Sequence, residues 1–308
     1  MIVTLAGGVG AARFLEGLIR VIPQNHITII GNVGDDAEFY GLHVSPDLDI
    51  VSYTLAGLVD PKKGWGFRSD TFHCQKALQT YHYRTWFNIG DRDLATHLYR
   101  TEQLRRRKKL STATGNIVSS LGLNVTLLPS SDDLLQTYVC SASRVMHFQE
   151  YMVKLQTKPK IRRVFFKGAE TAKPAPKVIQ SLTNADGIII SPSNPIVSIG
   201  AILAVKGIRS ALKKTKARIV AISPIVGGKT VKGPADKLMK SLGIEPSAVG
   251  VATTYRDFLD TLIIDKVDRK LAPQIKSLGV KPVVTQTIMK TMKGKVQLAR
   301  LAVSELKI

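Results

Sequence analysis

An α/β fold, with a mainly parallel sheet covered by helices, is predicted for this 308-residue chain. Three observations predict it. Short β-type apolar runs alternate with stretches of helical periodicity along most of the sequence, which is the pattern of strand–helix–strand units. A glycine-rich segment, Gly7-Gly8-Val9-Gly10, joins the first apolar run to the first helical one. Polar, proline-containing turns close two later runs, at Ser191–Pro195 and Ser223–Pro224. That is the carboxyl edge at which parallel sheets bind ligands.

The elements follow in order. Ile2–Ala6 is the first strand and Ala11–Val21 the first helix. Glycines between them let the backbone approach a phosphate, and the helix N-terminus attracts negative charge. A tight turn without ligand is the alternative. His26–Gly31 is the second strand, ending in Gly31-Asn32-Val33-Gly34-Asp35-Asp36. Gly7, Gly8, Gly10 and Asn32 are therefore candidate nucleotide or phosphate contacts. The spacing is not Gly-x-Gly-x-x-Gly, and no acid closes the second strand as a ribose binder would. Ser45-Pro46-Asp47-Leu48-Asp49 precedes helix Leu48–Leu58. Asp47 is read as a helix cap or supporting residue, and Asp49 as facing the pocket; capping is the commoner fate of aspartate before a helix.

Gly64–His73 and Trp86–Asp93 lead into helices Thr71–Thr80 and Asp91–Arg107. Both tryptophans lie in these segments, with Phe67, Phe72 and Phe87. Aromatics beside glycine and carboxylates suit a planar ring ligand with polar edges, or ordinary core packing. Helix Thr112–Leu121 and strand Asn124–Leu128 come next. From Tyr138 to Pro176 the pattern changes to short strand-like runs, including Arg162–Phe166, and a Lys/Pro-rich stretch. We read residues 138–175 as a small insertion in one domain whose core is 1–137 and 176–308. Helix Pro176–Leu182 and strand Gly187–Ser191 lead to Ser193-Asn194, further candidates for holding phosphate or base, and helix Ser198–Leu212 follows. Strand Arg218–Ile222 ends in Ser223–Thr230, which is no P-loop because its upstream glycine position is Ser223. Helix Pro234–Leu242, strand Thr261–Asp265, helix Val267–Leu278, strand Pro282–Gln286 and helix Thr291–Leu306 complete the chain.

Charge is unevenly distributed. Nine of the 23 acidic residues fall between Gly31 and Asp93, while the whole chain carries a net +21. A carboxylate cluster in a cationic protein is suited to Mg²⁺, which prefers a few carboxylates plus substrate phosphates. The basic run Arg105–Lys109 closes a helix, where cations favour the dipole. No aromatic-interleaved basic motif or zinc-finger spacing accompanies it, so nucleic acid is not an expected partner. The two cysteines form no metal or disulfide framework, and no signal peptide or membrane span is read. A reducing, cytoplasmic setting is expected.

Taken together, Gly7–Gly10, Ser45–Asp49, Trp65-Gly66 with Asp70-Thr71-Phe72, Gly90–His97, Val145–Gln149, Ser193-Asn194-Pro195 and Ser223-Pro224-Ile225 resemble, in this order, the 2-phospho-L-lactate transferase family of coenzyme F420 biosynthesis. The resemblance covers nearly the whole chain. It implies a Rossmann-like three-layer α/β/α domain, usually homodimeric. It also implies Mg²⁺ and two substrates, a guanosine diphospho-linked lactate or enolpyruvate donor and the deazaflavin acceptor FO, with GMP released. In the family the FO site includes the second Asp of Pro-Asp-Leu-Asp, here Asp49, and the residue two before Gly-Asp-Arg-Asp, here Asn88, where some members carry Lys. Asp49 is thus the expected catalytic residue. The ring is expected against Trp65, Phe72 and Asn88, with Mg²⁺ among Asp47, Asp49, Asp91 and Asp93. The runner-up function is a non-enzymatic nucleotide-sugar-binding regulator of the same fold.

Overall fold

The computed structural model describes residues 1–61 and 63–308. Seven strands form an all-parallel sheet flanked by helices: β1 (Ile2–Ala6), β2 (Ile27–Gly31), β5 (Thr126–Pro129), β9 (Gly187–Ile190), β10 (Arg218–Ile222), β13 (Thr261–Asp265) and β14 (Lys281–Thr285). Their spatial order is β14-β13-β10-β9-β1-β2-β5. β1, β2, β9 and β13 are buried at every position, because helices exclude water from both faces; this is why their sequences are continuous apolar runs. From β1 the chain adds strands outward to β2 and β5, then returns to β9 and builds the other way. The order therefore reverses between β1 and β9, the place where such sheets open a crevice.

The remaining strands lie outside the sheet. Two antiparallel hairpins are β3 (Ala37–Phe39) with β4 (Leu42–Val44), and β11 (Ile225–Val226) with β12 (Lys229–Thr230). Both central residues of the second hairpin's turn, Gly227 and Gly228, have positive φ, as a two-residue turn that follows strand twist requires. Residues 136–167 carry a three-stranded antiparallel sheet, β7 (Val145–His147), β6 (Gln136–Ser141) and β8 (Ile161–Lys167), in the order β7-β6-β8. The Arg162–Phe166 strand expected from sequence belongs to this sheet.

Helix Gly8–Leu18 starts three residues earlier than its sequence pattern predicts, so the glycine segment is the helix's own first turn. It packs against Met292–Leu306 and Pro46–Leu55. The expected helix Ser198–Leu212 is two, Ile199–Ala204 and Ile208–Lys214, broken where Gly207 takes φ +96°. The expected Val267–Leu278 begins as a 3₁₀ segment, Lys266–Leu271, before Pro273 enters the first turn of helix Ala272–Ser277. Helix Ala248–Tyr255, capped by Ser247, was not foreseen. No helix among the described residues is long and apolar enough to cross a membrane.

Candidate active site

A cleft of about 560 Å³ opens at the carboxyl edge of the sheet, over the reversal between β1 and β9. Gly7–Gly10 follow β1 into it and Pro192–Asn194 follow β9. These two turns are fastened together. The Gly7 N–H donates to Ser193 Oγ at 3.2 Å, and the Thr4 and Ser191 hydroxyls bond below at 2.8 Å. A Cβ on Gly10 would collide with the Pro192 carbonyl oxygen, so glycine there is set by close backbone approach. Asn194 Oδ1 accepts from the Ile196 N–H at 2.9 Å, shaping its own turn. Ser223 and Pro224 after β10, and Thr287–Lys290 beyond β14, line the same cleft.

Two buried carboxylates, Asp35 and Asp47, line its floor. Asn32, wholly buried beneath them, donates through Nδ2 to Asp47 Oδ2 at 2.9 Å and Asp35 Oδ1 at 3.3 Å. Gln149 donates to Asp35 Oδ2 at 2.8 Å. Neither acid has a cationic side chain paired with it among the described residues. Burial first, then the Asp47 and Asp36 charges, push the Asp35 carboxyl well above the usual range. Burial and Asp36 push Asp47 up to about 6, against hydrogen bonds from Asn32 and Gly8. Two desolvated carboxylates without a counter-cation are a fit for a divalent ion that also meets substrate phosphate. No group of three or more His, Cys, Asp or Glu suited to a metal occurs among the described residues, so the remaining ligands would be phosphate and water.

The Asp47 shift fixes a pH dependence. Its folded pKa exceeds the ordinary 3.8, so between those values the folded state binds more protons than the unfolded. The associated stability is full at low pH and is lost as pH rises through about 6. Thermal melts of the metal-free protein from about pH 4 to about pH 8 should therefore show wild type losing stability relative to Asp47→Asn across this window. A constant difference between the two would refute the burial argument.

The cleft is also lined by Trp65, Phe87 and Asn88. Trp65 is 39% exposed. Phe87 stacks on Phe39, ring centroids 3.9 Å apart, and Asn88 Oδ1 accepts from Gln75 Nε2 at 2.9 Å. Trp86 packs with Phe39 in a small core cluster and does not line the cleft, which is the ordinary packing alternative.

Several expected site residues are placed elsewhere. Ser45 is the N-cap of helix Pro46–Leu55, and Asp47 lies inside its first turn. Asp49, expected to face the pocket, does not. Its carboxylate is bidentate with Arg100 in the interior, Oδ2 3.1 Å from Nη1 and Oδ1 in contact with Nη2. Residues two apart on a helix point about 200° apart, so one turn cannot aim both aspartates into the cleft. Asp93 accepts from the Tyr53 hydroxyl at 2.8 Å, and its Oδ1 stands 3.2 Å from His97 Nε2. Asp91 accepts from the His73 and Cys74 N–H groups and caps helix His73–Thr80. Asp70 in turn accepts from Arg92 and Asp93 and caps helix Asp91–Arg105. Of the four expected metal ligands only Asp47 lines the cleft. Phe72 does not line it either, and Lys63 Nζ lies 5.0 Å from its ring centroid. Asn32 is spent on the two carboxylates and on the Gly34 N–H, which it accepts at 2.7 Å.

The exchanged caps depend on Gly90, where a Cβ would collide with the Asp70 carboxylate. Gly90→Ala should cost about 1–2 kcal/mol, the range of a lost N-cap. Urea denaturation measures this, and an unchanged midpoint would show the cap tolerates displacement.

Sequence reading missed Asp35 as a pocket acid, although its place after β2 was a signal. It also missed Arg13, Lys232 and Lys290, three cations lining the cleft, and Met152 and Val153 from the segment after β7. Nothing local to these residues marks them; the fold brings them in from distant parts of the chain.

A family model described as 2-phospho-L-lactate transferase CofD matches residues 2–301. The chain is 41% identical over 310 residues to Phosphoenolpyruvate transferase of Kitasatospora aureofaciens, covering 98% of this chain and 97% of that protein. It is 36% identical over 301 residues to 2-phospho-L-lactate transferase of Methanosarcina mazei, covering 98% and 99%. Among solved structures, protein BH3568 from Bacillus halodurans superimposes with a TM-score of 0.65 at 17% identity over 98% of each chain, a likeness of fold.

Proposed function

The chain belongs to the 2-phospho-L-lactate transferase CofD family, and from that premise we propose that it moves a 2-phospholactyl or enolpyruvyl-phospho group from a guanosine diphospho-linked donor to the ribityl hydroxyl of FO, releasing GMP in F420 biosynthesis. The relatives named Phosphoenolpyruvate transferase match at 40–42% identity, against 36% for those named 2-phospho-L-lactate transferase. We therefore read the donor as the enolpyruvyl form. One observation carries the proposal: a single cleft is lined both by an amide- and carboxylate-bearing set, Gly7–Gly10, Asp47 and Ser193-Asn194, and by a second set, Trp65, Phe87 and Asn88. A nucleotide diphosphate suits the first and a tricyclic ring the second.

In this reading the first-turn amides of helix Gly8–Leu18 hold donor phosphate. Asp35 and Asp47 would hold Mg²⁺, which when bound offsets charge on the diphosphate. Trp65 and Phe87 orient the acceptor so that its hydroxyl lies in line with the phosphorus. The new bond joins the ribityl oxygen to the phosphorus that carries the lactate or enolpyruvate C2 oxygen. The bond to the bridging oxygen breaks, its electron pair leaves with GMP, and the hydroxyl proton is released to water. Such transfers pass through loose transition states, so positioning outweighs a strong base.

Incubation with FO, Mg²⁺ and each GDP-linked donor, followed by mass analysis, tests the proposal. Formation of GMP and the phospholactyl or enolpyruvyl-phospho adduct of FO, lost in EDTA and restored by Mg²⁺, is the expected result; no GMP from any donor overturns it. Trp65→Ala should weaken FO binding by about 0.5–1.5 kcal/mol beyond its lost contact area while GDP binding holds. Separate titrations read both, and a loss confined to GDP would invert the two assignments.

A further inference from the structure

The acids at the cleft floor leave its cations without a role. Arg13 projects from helix Gly8–Leu18, one turn beyond the glycine segment, and Lys232 follows hairpin β11–β12 from the far half of the sheet. Both line the cleft, and neither side chain has an acidic or hydrogen-bonding partner among the described residues. Lys232 reaches the loop that carries Trp65. Its Nζ occupies the space that glycine leaves at position 64, where a Cβ would be 2.9 Å away, and Trp65 follows directly. The hairpin that precedes Lys232 is held at its turn, since the Gly227 N–H donates to both oxygens of buried Asp268 at 3.0 and 3.1 Å. Partial burial, and then the charge of Arg13, lower the Lys232 ammonium from its ordinary value. Two unpaired cations that line one cleft from separate elements, beside a helix N-terminus, match a multiply charged anion.

Resting on the transferase reading of this cleft, we propose that Arg13 and Lys232 grip the donor's diphosphate from opposite sides and stabilise the phosphate that departs with the nucleotide. When the bridging bond breaks, its electron pair settles on the oxygen leaving with the nucleoside monophosphate. Cations held there beforehand act where negative charge develops. Arginine can fork two oxygens, whereas lysine supplies a point charge.

Calorimetric titration of the full chain with inorganic diphosphate tests this, with guanosine as the uncharged comparison. Wild type should bind diphosphate. Arg13→Ala and Lys232→Ala should each weaken it about 10- to 100-fold, the worth of a charge-assisted contact, with guanosine binding unchanged. Lys232→Arg should recover part of the loss. Arg106→Ala removes one exposed charge, paired with Glu102 on a remote helix surface, and should leave affinity within about twofold. Unchanged affinity in both alanine variants, an equal loss in Arg106→Ala, or no diphosphate binding by wild type would each overturn the proposal. The probe carries neither guanosine nor the lactate or enolpyruvate group. Diphosphate held through Arg13 and Lys232 by a protein that releases no GMP sinks the transferase reading alone, and full donor turnover in both alanine variants sinks this inference alone.

Discussion

Arg100→Met is expected to lower stability by about 3–5 kcal/mol, the cost of breaking one side of a buried ion pair. Arg100 is 1% exposed and lies on helix Asp91–Arg105, with its guanidinium bidentate on Asp49. Burial opposes its charge, but the Asp49 carboxylate raises its pKa above the usual arginine value. Without the guanidinium, Asp49 stays desolvated beside Asp93 and the Tyr53 phenol, which burial and both carboxylates keep protonated. The double variant Asp49→Asn/Arg100→Met removes the stranded charge and should recover much of the loss. Urea denaturation of the single and double variants reads this coupling. A single variant within about 1 kcal/mol of wild type would mean that the pair is weak in solution. The function at stake is placement: Asp49 anchors the helix turn that presents Asp47 to the cleft, so Arg100→Met should also slow transfer.

Asp47→Asn should reduce transfer about a hundred- to a thousand-fold, by analogy with losing one charged contact made mainly in the transition state. The same change should stabilise the metal-free protein near neutral pH by roughly 1–3 kcal/mol, because it removes a charge whose burial raises its pKa from 3.8 to about 6. The asparagine can still accept from Asn32 Nδ2, so the local geometry need not change. Opposite signs for activity and stability mark a group kept for function at a cost to the fold. Steady-state GMP release and thermal melts, each with and without Mg²⁺, check it. A variant that is slower and also less stable would make Asp47 a structural residue.

Much of the architecture is set by local signals. Ile2–Ala6, Arg218–Ile222 and Thr261–Asp265 are strands over the spans read from their apolar runs. Gly7–Gly10 and Ser193-Asn194 were legible as turns at the sheet's carboxyl edge, and they line the cleft, because glycine and Ser-Asn-Pro chemistry act over a few residues. Helix Ala248–Tyr255 was not, since its Val and Thr content gives a weak helical signal that packing overrides.

The sequence by itself determined that this is a parallel α/β protein with a glycine-turned first helix and a family-ordered set of motifs. Only the tertiary structure decided which carboxylates line the cleft. Asp35, Asp47, Asp49, Asp91 and Asp93 are chemically alike, and composition alone cannot rank them. Arg100 claims Asp49, the His73 helix claims Asp91, and Tyr53 claims Asp93. Asp35 and Asp47 are left over the cleft because Asn32 and Gln149 hold them there without neutralising them. A side chain's charge is written in the sequence, but its partner is fixed by contacts far apart along the chain, and the partner decides whether that charge is spent on the fold or left for the substrate.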